Sequence, residues 1–192
     1  MDEDRIRWNQ RYREGAYVGR LHPTPLVQAW FDSATCKTAM DVACGTGRNA
    51  RFLAAAGVDV IGVDIAKEAI VLARGLAQEL SNIKFIVADL DEGLPIQKTF
   101  DLIVLVRFVD MDLLRKLPDH LKPGGKLIVE EHLVWDDSDV ELAGPSSPRF
   151  RVKPGEVAAA CPKLATLYRY EGLIQDPLGE TAAVSQFVGA KL

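Results

Sequence analysis

The stretch Met40-Asp41-Val42-Ala43-Cys44-Gly45-Thr46-Gly47-Arg48-Asn49-Ala50 reads as a strand end running through a glycine turn into a helix. Gly45 and Gly47 let the backbone bend tightly and approach a ligand closely. The unpaired amides that open the following helix can face polar parts of a cofactor. Glycine turns also join strands to helices for geometric reasons alone, so the motif needs support from elsewhere. Asp64 supplies it, ending the run Val60-Ile61-Gly62-Val63-Asp64 at the same sheet edge. A carboxylate there can accept from both ribose hydroxyls, the other reading being a helix N-cap before Ala66-Lys67-Glu68. Asp89, after Ile86-Val87-Ala88, can accept from an adenine amino group or serve as a turn residue. Asp101 opens Phe100-Asp101-Leu102-Ile103 at the opposite edge and reads as structural.

Other residues could handle a second, anionic ligand. Arg107 interrupts an apolar strand at the ligand edge, and its guanidinium is a rigid fork for oxyanions; its alternative is an ion pair with Asp110 or Asp112. Arg149 and Arg151 flank Phe150 and share a face if extended, with solvated surface the reading for at least one of them. Tyr17, with Trp8 and Tyr12, can wall a pocket, although packing is the favoured role for Trp8. Histidine is the side chain that titrates in the range a general base needs, which makes His132 and His22 candidates, but neither shows a carboxylate partner. Glu130 and Glu131 point to opposite faces of one strand, so at most one reaches a pocket. No residue stands out as a dedicated catalyst beyond the candidates Arg107, His132 and His22.

The elements that position these residues follow from periodicity. Residues 4–13 are helical, and after a Gly- and Pro-containing connector over 15–25 a second short helix spans 26–31. From residue 39, strand-like runs at 39–43, 58–63, 83–88, 100–106 and 126–132 alternate with helical ones at 48–56, 67–79 and near 111–121. Such alternation demands parallel pairing with right-handed crossovers. Near-continuous apolar strands such as Leu102-Ile103-Val104-Leu105-Val106 require a sheet covered on both faces. A Gly- and Pro-rich loop over 144–154 and a short helix over 155–160 lead to runs at 164–170 and 182–190. These flank the turn at 175–179 as an antiparallel hairpin. The expected fold is α/β, a doubly wound, mostly parallel seven-stranded sheet with a C-terminal antiparallel hairpin. The 192 residues form one domain, with a helical lid over 1–35, a cofactor-binding core over 36–135, and a substrate loop and closing hairpin over 136–192.

Composition narrows the functional classes. Apolar residues make up 48% and charged residues 26%, which excludes disorder. A net charge of -4 lacks the basic field that nucleic acid demands, and the basic run Arg5, Arg7, Arg11, Arg13 and Arg20 is diluted by Asp2, Glu3, Asp4 and Glu14. No apolar run approaches the ~20 residues of a membrane span, and the charged start lacks a secretory signal, so the cytoplasm is the expected location. Cys36, Cys44 and Cys161 are too scattered for a disulfide framework or a zinc set, so no metal is expected. The residues specify no oligomeric state.

Taken in order, Asp41-Val42-Ala43-Cys44-Gly45-Thr46-Gly47, Asp64, Ala88-Asp89, Phe100-Asp101-Leu102-Ile103 and Leu121-Lys122-Pro123-Gly124-Gly125-Lys126-Leu127 resemble the motifs of the class I S-adenosylmethionine-dependent methyltransferases. The resemblance covers about 40–131, and the terminal hairpin agrees with it. It implies a Rossmann-like methyltransferase fold with S-adenosylmethionine held by Asp41, Ala43, Gly45, Gly47, Asn49, Asp64, Ile65, Asp89, Leu90 and Val106. It also implies methyl transfer to a small-molecule acceptor by in-line displacement. Ala43 stands where the family pattern has its first glycine. Trp8-Asn9-Gln10-Arg11-Tyr12, Gly47-Arg48-Asn49-Ala50 and the 148–156 segment are most similar to the small members related to tellurite methyltransferase. Those acting on tellurite can carry a His-Arg pair in the closing hairpin, where this chain has Pro177-Leu178-Gly179-Glu180. Arg107, Arg149, Arg151 and Tyr17 are the candidate acceptor contacts. The competing functions are an NAD(P)-binding Rossmann oxidoreductase, because Gly45-x-Gly47-x-x-Ala50 also fits that fingerprint, and a non-catalytic S-adenosylmethionine-binding sensor or scaffold. Methylation of a protein or tRNA is a third option.

Overall fold

In a computed structural model describing residues 2–17, 19–136 and 139–192, seven strands form one sheet in the order β3-β2-β1-β4-β5-β7-β6. The elements run α1 (Asp2–Arg13), α2 (Pro25–Trp30), β1 (Thr38–Val42), α3 (Arg48–Ala55), β2 (Asp59–Asp64), α4 (Lys67–Leu76), β3 (Ile83–Val87), β4 (Phe100–Val106) and α5 (Met111–Lys116). After these come β5 (Leu121–His132), α6 (Glu156–Ala160), β6 (Ala165–Gln175) and β7 (Thr181–Ala190). The first five strands pair in parallel, and β7 lies antiparallel between β5 and β6. This is the doubly wound sheet with a terminal hairpin that the alternation of periods predicts.

Both faces are covered, which explains the unbroken apolar strands. On one face Met40, Val42, Ile103, Leu105, Leu127 and Val129 pack with Leu113 and Leu114 of α5 and Val157 and Ala160 of α6. On the other, Ala39, Val60, Leu102, Val104 and Ile128 meet Leu26 and Val27 of α2, Ala50 and Leu53 of α3, and Ile70 and Ala73 of α4. Successive strand residues therefore serve opposite cores, as the period of two requires. No helix among the described residues is long and apolar enough to cross a membrane.

Several boundaries differ from the sequence-based expectation. The 3-10 turn at Leu117–His120 replaces the last turn of the helix expected to reach 121, because Pro118 has no amide to continue the ladder. β5 begins at Leu121, so Lys122-Pro123-Gly124-Gly125 lies inside a strand with a register shift opposite Phe100 and Leu102. β6 runs through Gly172 to Gln175, five residues beyond the expected end at 170. Asp101 is structural as anticipated: it accepts from the Lys37 and Thr38 amides at 3.1 and 2.8 Å and from Lys122 Nζ at 2.9 Å. Burial opposes its charge, but Lys122 and the Thr38 and Lys37 donors outweigh that and hold its carboxyl at about 2.

Candidate active site

β1 is the strand from which the chain winds both ways, to β2 on one side and to β4 on the other. Helices leave in opposite directions there, so a crevice must open outside the carboxyl ends of β1 and β4. A cleft of about 540 Å³ occupies this place, bordered by Asp41, Ala43, Gly45 and Asn49 from the β1–α3 turn and by Val106 and Arg107 from the end of β4. Its outer wall comes from Trp8 and Tyr12 of α1, Tyr17, and Ser147 and Phe150 of the loop before α6. A narrower passage of about 30 Å³ adjoins it between residues 19–25 and the 174–178 turn of the hairpin. Arg20, Arg48, Arg107 and His132 border both spaces.

The glycine turn is held from below. Asp41 is buried and accepts from the Ala50 amide at 2.9 Å, tying the end of β1 to the first turn of α3. Burial pushes its carboxyl up to about 7, against the opposing pull of that amide and of Arg48. Gly47 adopts φ 74°, and a Cβ there would sit 2.7 Å from Phe85 Cζ, so glycine is required for both conformation and space. Ala43, in the place of the family's first glycine, has φ 53°. Ala43, Arg107 at 62° and Tyr17 at 65° are the non-glycine residues with positive φ among the described residues, and all three border the cleft. Backbone strain of this kind, about 1–3 kcal/mol per residue, concentrates where function over-determines geometry.

Asp64 is 7% exposed, and its two carboxylate oxygens accept from the Gly45 and Ala66 amides, each at 2.8 Å. It therefore ties the tip of β2 to the glycine turn. The N-cap residue of α4 is Ala66, while Asn9 of α1 reaches across to accept from the Glu68 amide at 3.0 Å. Arg13 adds an ion pair to Glu68 at 3.1 Å, so α1 is docked on the start of α4. Its Tyr12 hydroxyl rests over Gly45, where an added Cβ would come within 2.7 Å of it. Burial, then the Asp64 carboxylate, push the Tyr12 phenol well above its usual range. Asp64, Ile65, Asp89 and Leu90 thus lie beyond Tyr12 rather than on the cleft wall. Asp89 accepts from the Asp91 amide at 3.0 Å as a turn residue and has its second oxygen spare, while Leu90 is buried in the core.

Arg107 does not pair with Asp110 or Asp112: Asp110 caps α5 and Asp112 pairs with Arg115. Its positive φ turns the side chain back over β5, where Nη2 meets Glu130 at 2.9 Å and Nη1 meets His132 Nδ1 at 2.6 Å. Glu130 also accepts from Gln186 Nε2 at 2.7 Å. Burial, then the Arg107 guanidinium, pull the His132 imidazole down to about 2, so the ring is neutral near pH 7 and a poor proton acceptor. Glu131 faces the other core, accepts from the Phe108 amide at 3.1 Å, and is pushed up to about 8 by burial. His22 is exposed at the passage. Arg149 reaches away to Asp4 at 2.9 Å, and Arg151 donates to the Pro145 and Leu133 carbonyls. Sequence reasoning passed over Arg20, Arg48 and Gln186 as site residues. Arg48 directly follows Gly47, which is the signal that could have placed it at the mouth of the turn.

Residues 39–125 match a family described as a methyltransferase domain. The chain is 29% identical over 155 residues to trans-aconitate 2-methyltransferase of Deinococcus radiodurans, covering 77% of this chain and 58% of that protein. Among solved structures, TehB from Haemophilus influenzae superposes with a TM-score of 0.70 at 21% identity, over 87% of this chain and 61% of that one. A SAM-dependent methyltransferase from Aquifex aeolicus superposes with a TM-score of 0.69 at 14% identity, over 96% and 98%. The chain spans about three fifths of the length of the first two.

Proposed function

We propose, from the match of residues 39–125 to a methyltransferase domain, that the chain is a class I S-adenosylmethionine-dependent methyltransferase and holds that cofactor in the cleft outside β1 and β4. There it transfers the methyl group to a small-molecule acceptor. The observation that carries this reading is the position of the cleft at the switch in strand order, with Ala43, Gly45 and Val106 on its wall. Its volume of about 540 Å³ suits a nucleoside-sized ligand, since such pockets run from ~300 to ~1,000 Å³. The Thr46 and Arg48 amides make no backbone hydrogen bond among the described residues and are open to a polar group. Each Asp64 oxygen, having accepted one amide, keeps a lone pair for a ribose hydroxyl. Ile65, Asp89 and Leu90 would flank the adenine. Seating the nucleoside against them displaces Tyr12 from Gly45, so residues 1–35 act as a lid on this reading, with 36–135 as the core and 136–192 closing the acceptor side.

The sulfonium supplies an activated methyl group, so the chain's own work is alignment and exclusion of water. The narrow passage beside Arg48 and Arg107 suits a small acceptor approaching the larger cleft from the side opposite α1. A calorimetric titration decides the cofactor. S-adenosylhomocysteine should bind with a dissociation constant between nanomolar and micromolar while NAD gives no heat. Heat with NAD alone would make the chain an oxidoreductase. Transfer of labelled methyl to an added small molecule separates an enzyme from a binding protein.

A further inference from the structure

At the junction of cleft and passage three arginines meet. Arg20, Arg48 and Arg107 converge there, close enough that Arg20 and Arg107 both disfavour the charge on Arg48. Among the described residues Glu130 is bound to Arg107 and Gln186, and Asp41 also favours the charge on Arg48. Asp176, at the rim of the passage, accepts from the Leu178 and Glu180 amides of its own turn, and Asp41 is committed to the Ala50 amide. Neither Arg20 nor Arg48 forms a hydrogen bond or ion pair with another described side chain; Arg20 lies over the Tyr17 ring at 5.2 Å. A protein of net charge -4 has thus gathered three guanidinium groups in a recess, two of them without a hydrogen-bonded or ion-paired side chain among the described residues. Converging guanidinium groups are kept together by an anion that answers their fork geometry.

We propose that the methyl acceptor is a small dicarboxylate held by Arg20, Arg48 and Arg107 at this junction. The inference rests on the methyltransferase reading above and names its substrate class. Arg20 and Arg48, which have no hydrogen-bonded or ion-paired side chain among the described residues, offer two guanidinium forks for two carboxylates. Ile174, Ala182 and Pro25 on the passage wall suit the short hydrocarbon that joins them, which an inorganic oxyanion lacks. In the step itself, a carboxylate oxygen forms a bond to the methyl carbon as the carbon–sulfur bond breaks and its electron pair stays on sulfur. The carboxylate becomes a methyl ester, the sulfonium a neutral thioether, and no proton moves. The arrangement therefore needs no general base, in keeping with the neutral, weakly basic His132 beside Arg107.

The test titrates protein saturated with S-adenosylhomocysteine with malonate, succinate, acetate, malonamide and sulfate, and follows labelled methyl from S-adenosylmethionine into base-labile ester. A dicarboxylate should bind at least tenfold tighter than acetate, and malonamide should not bind. Arg48→Gln should weaken dicarboxylate binding at least tenfold while S-adenosylhomocysteine affinity holds; Arg20→Gln, on the connector outside the sheet, should do the same if Arg48→Gln does not fold. Three results overturn the proposal: malonamide binding as well as malonate, sulfate matching every carboxylate with no ester formed, or Arg48→Gln weakening S-adenosylhomocysteine but not the dicarboxylate. No heat from S-adenosylhomocysteine with wild-type protein would sink the cofactor reading instead, and arginine-dependent malonate binding that persisted would keep the anion site.

Discussion

Replacing Glu130 with alanine should destabilise the fold by about 3–4 kcal/mol. The carboxylate is 3% exposed and its partner Arg107 is 16% exposed, at 2.9 Å. Removing one member of a buried pair leaves the other charge uncompensated, at about 3–5 kcal/mol. Arg107 borders an open cleft, so water moderates this toward about 3 kcal/mol, and loss of the acceptor for Gln186 adds about 1 kcal/mol. Against a total stability of ~5–15 kcal/mol the change is easily measured by urea unfolding, read from the midpoint at constant slope. Arg107→Ala and the double variant complete a cycle, with the double variant less destabilised than the sum of the singles by about 2–3 kcal/mol. A Glu130→Ala cost below about 1 kcal/mol, or additivity within about 0.5 kcal/mol, would show that this pair is screened by solvent and does not hold Arg107.

Gly47→Ala should cost about 2–4 kcal/mol in the same assay, combining positive-φ strain with overpacking against Phe85; a near-neutral result would deny that the turn is tightly packed. Glu131, at about 8 in the folded chain against an ordinary 4.5, keeps a proton that the unfolded chain releases. Stability should therefore fall as pH rises from about 4.5 to 8, by up to about 1.4 kcal/mol per pH unit, and Glu131→Gln should flatten that limb. His132, at about 2 against 6.5, works in the other direction: the unfolded chain takes up the proton, so stability should also fall as pH drops below 6.5, and replacing His132 with Asn should remove that loss. Asp64→Ala should weaken S-adenosylhomocysteine by about 1–3 kcal/mol in calorimetry, and unchanged affinity would remove the ribose assignment.

The parallel sheet and its switch point were legible because each strand reads as a short apolar run between glycine or charged turns and each helix has its own period. Residues 100–106 are a case where hydrophobicity alone fixes a doubly covered strand. The β1–α3 turn was legible for the same local reason. Contacts between distant segments were not. Nothing near Asn9 announces that its amide oxygen will cap α4, or near Tyr12 that its phenol will lie over Gly45, because both depend on how α1 docks. Arg107 reads in sequence as an oxyanion fork with Asp110 or Asp112 as its alternative partner, whereas its left-handed backbone sends it across the sheet to Glu130. Arg149 and Arg151 read as site residues from their alternation, yet one serves a surface pair and the other two backbone carbonyls. The arginine cluster at the junction appears only when residues 20, 48 and 107 meet in space.

A crystal structure with S-adenosylhomocysteine decides whether the cleft beside β1 and β4 seats the adenosyl cofactor. Density for the ligand should run along Ala43, Gly45 and Val106, with the ribose at Asp64, Tyr12 moved off Gly45 and the sulfur directed toward Arg48 and Arg107. Ligand density elsewhere, or an empty cleft with Tyr12 still over Gly45 at saturating ligand, would contradict it.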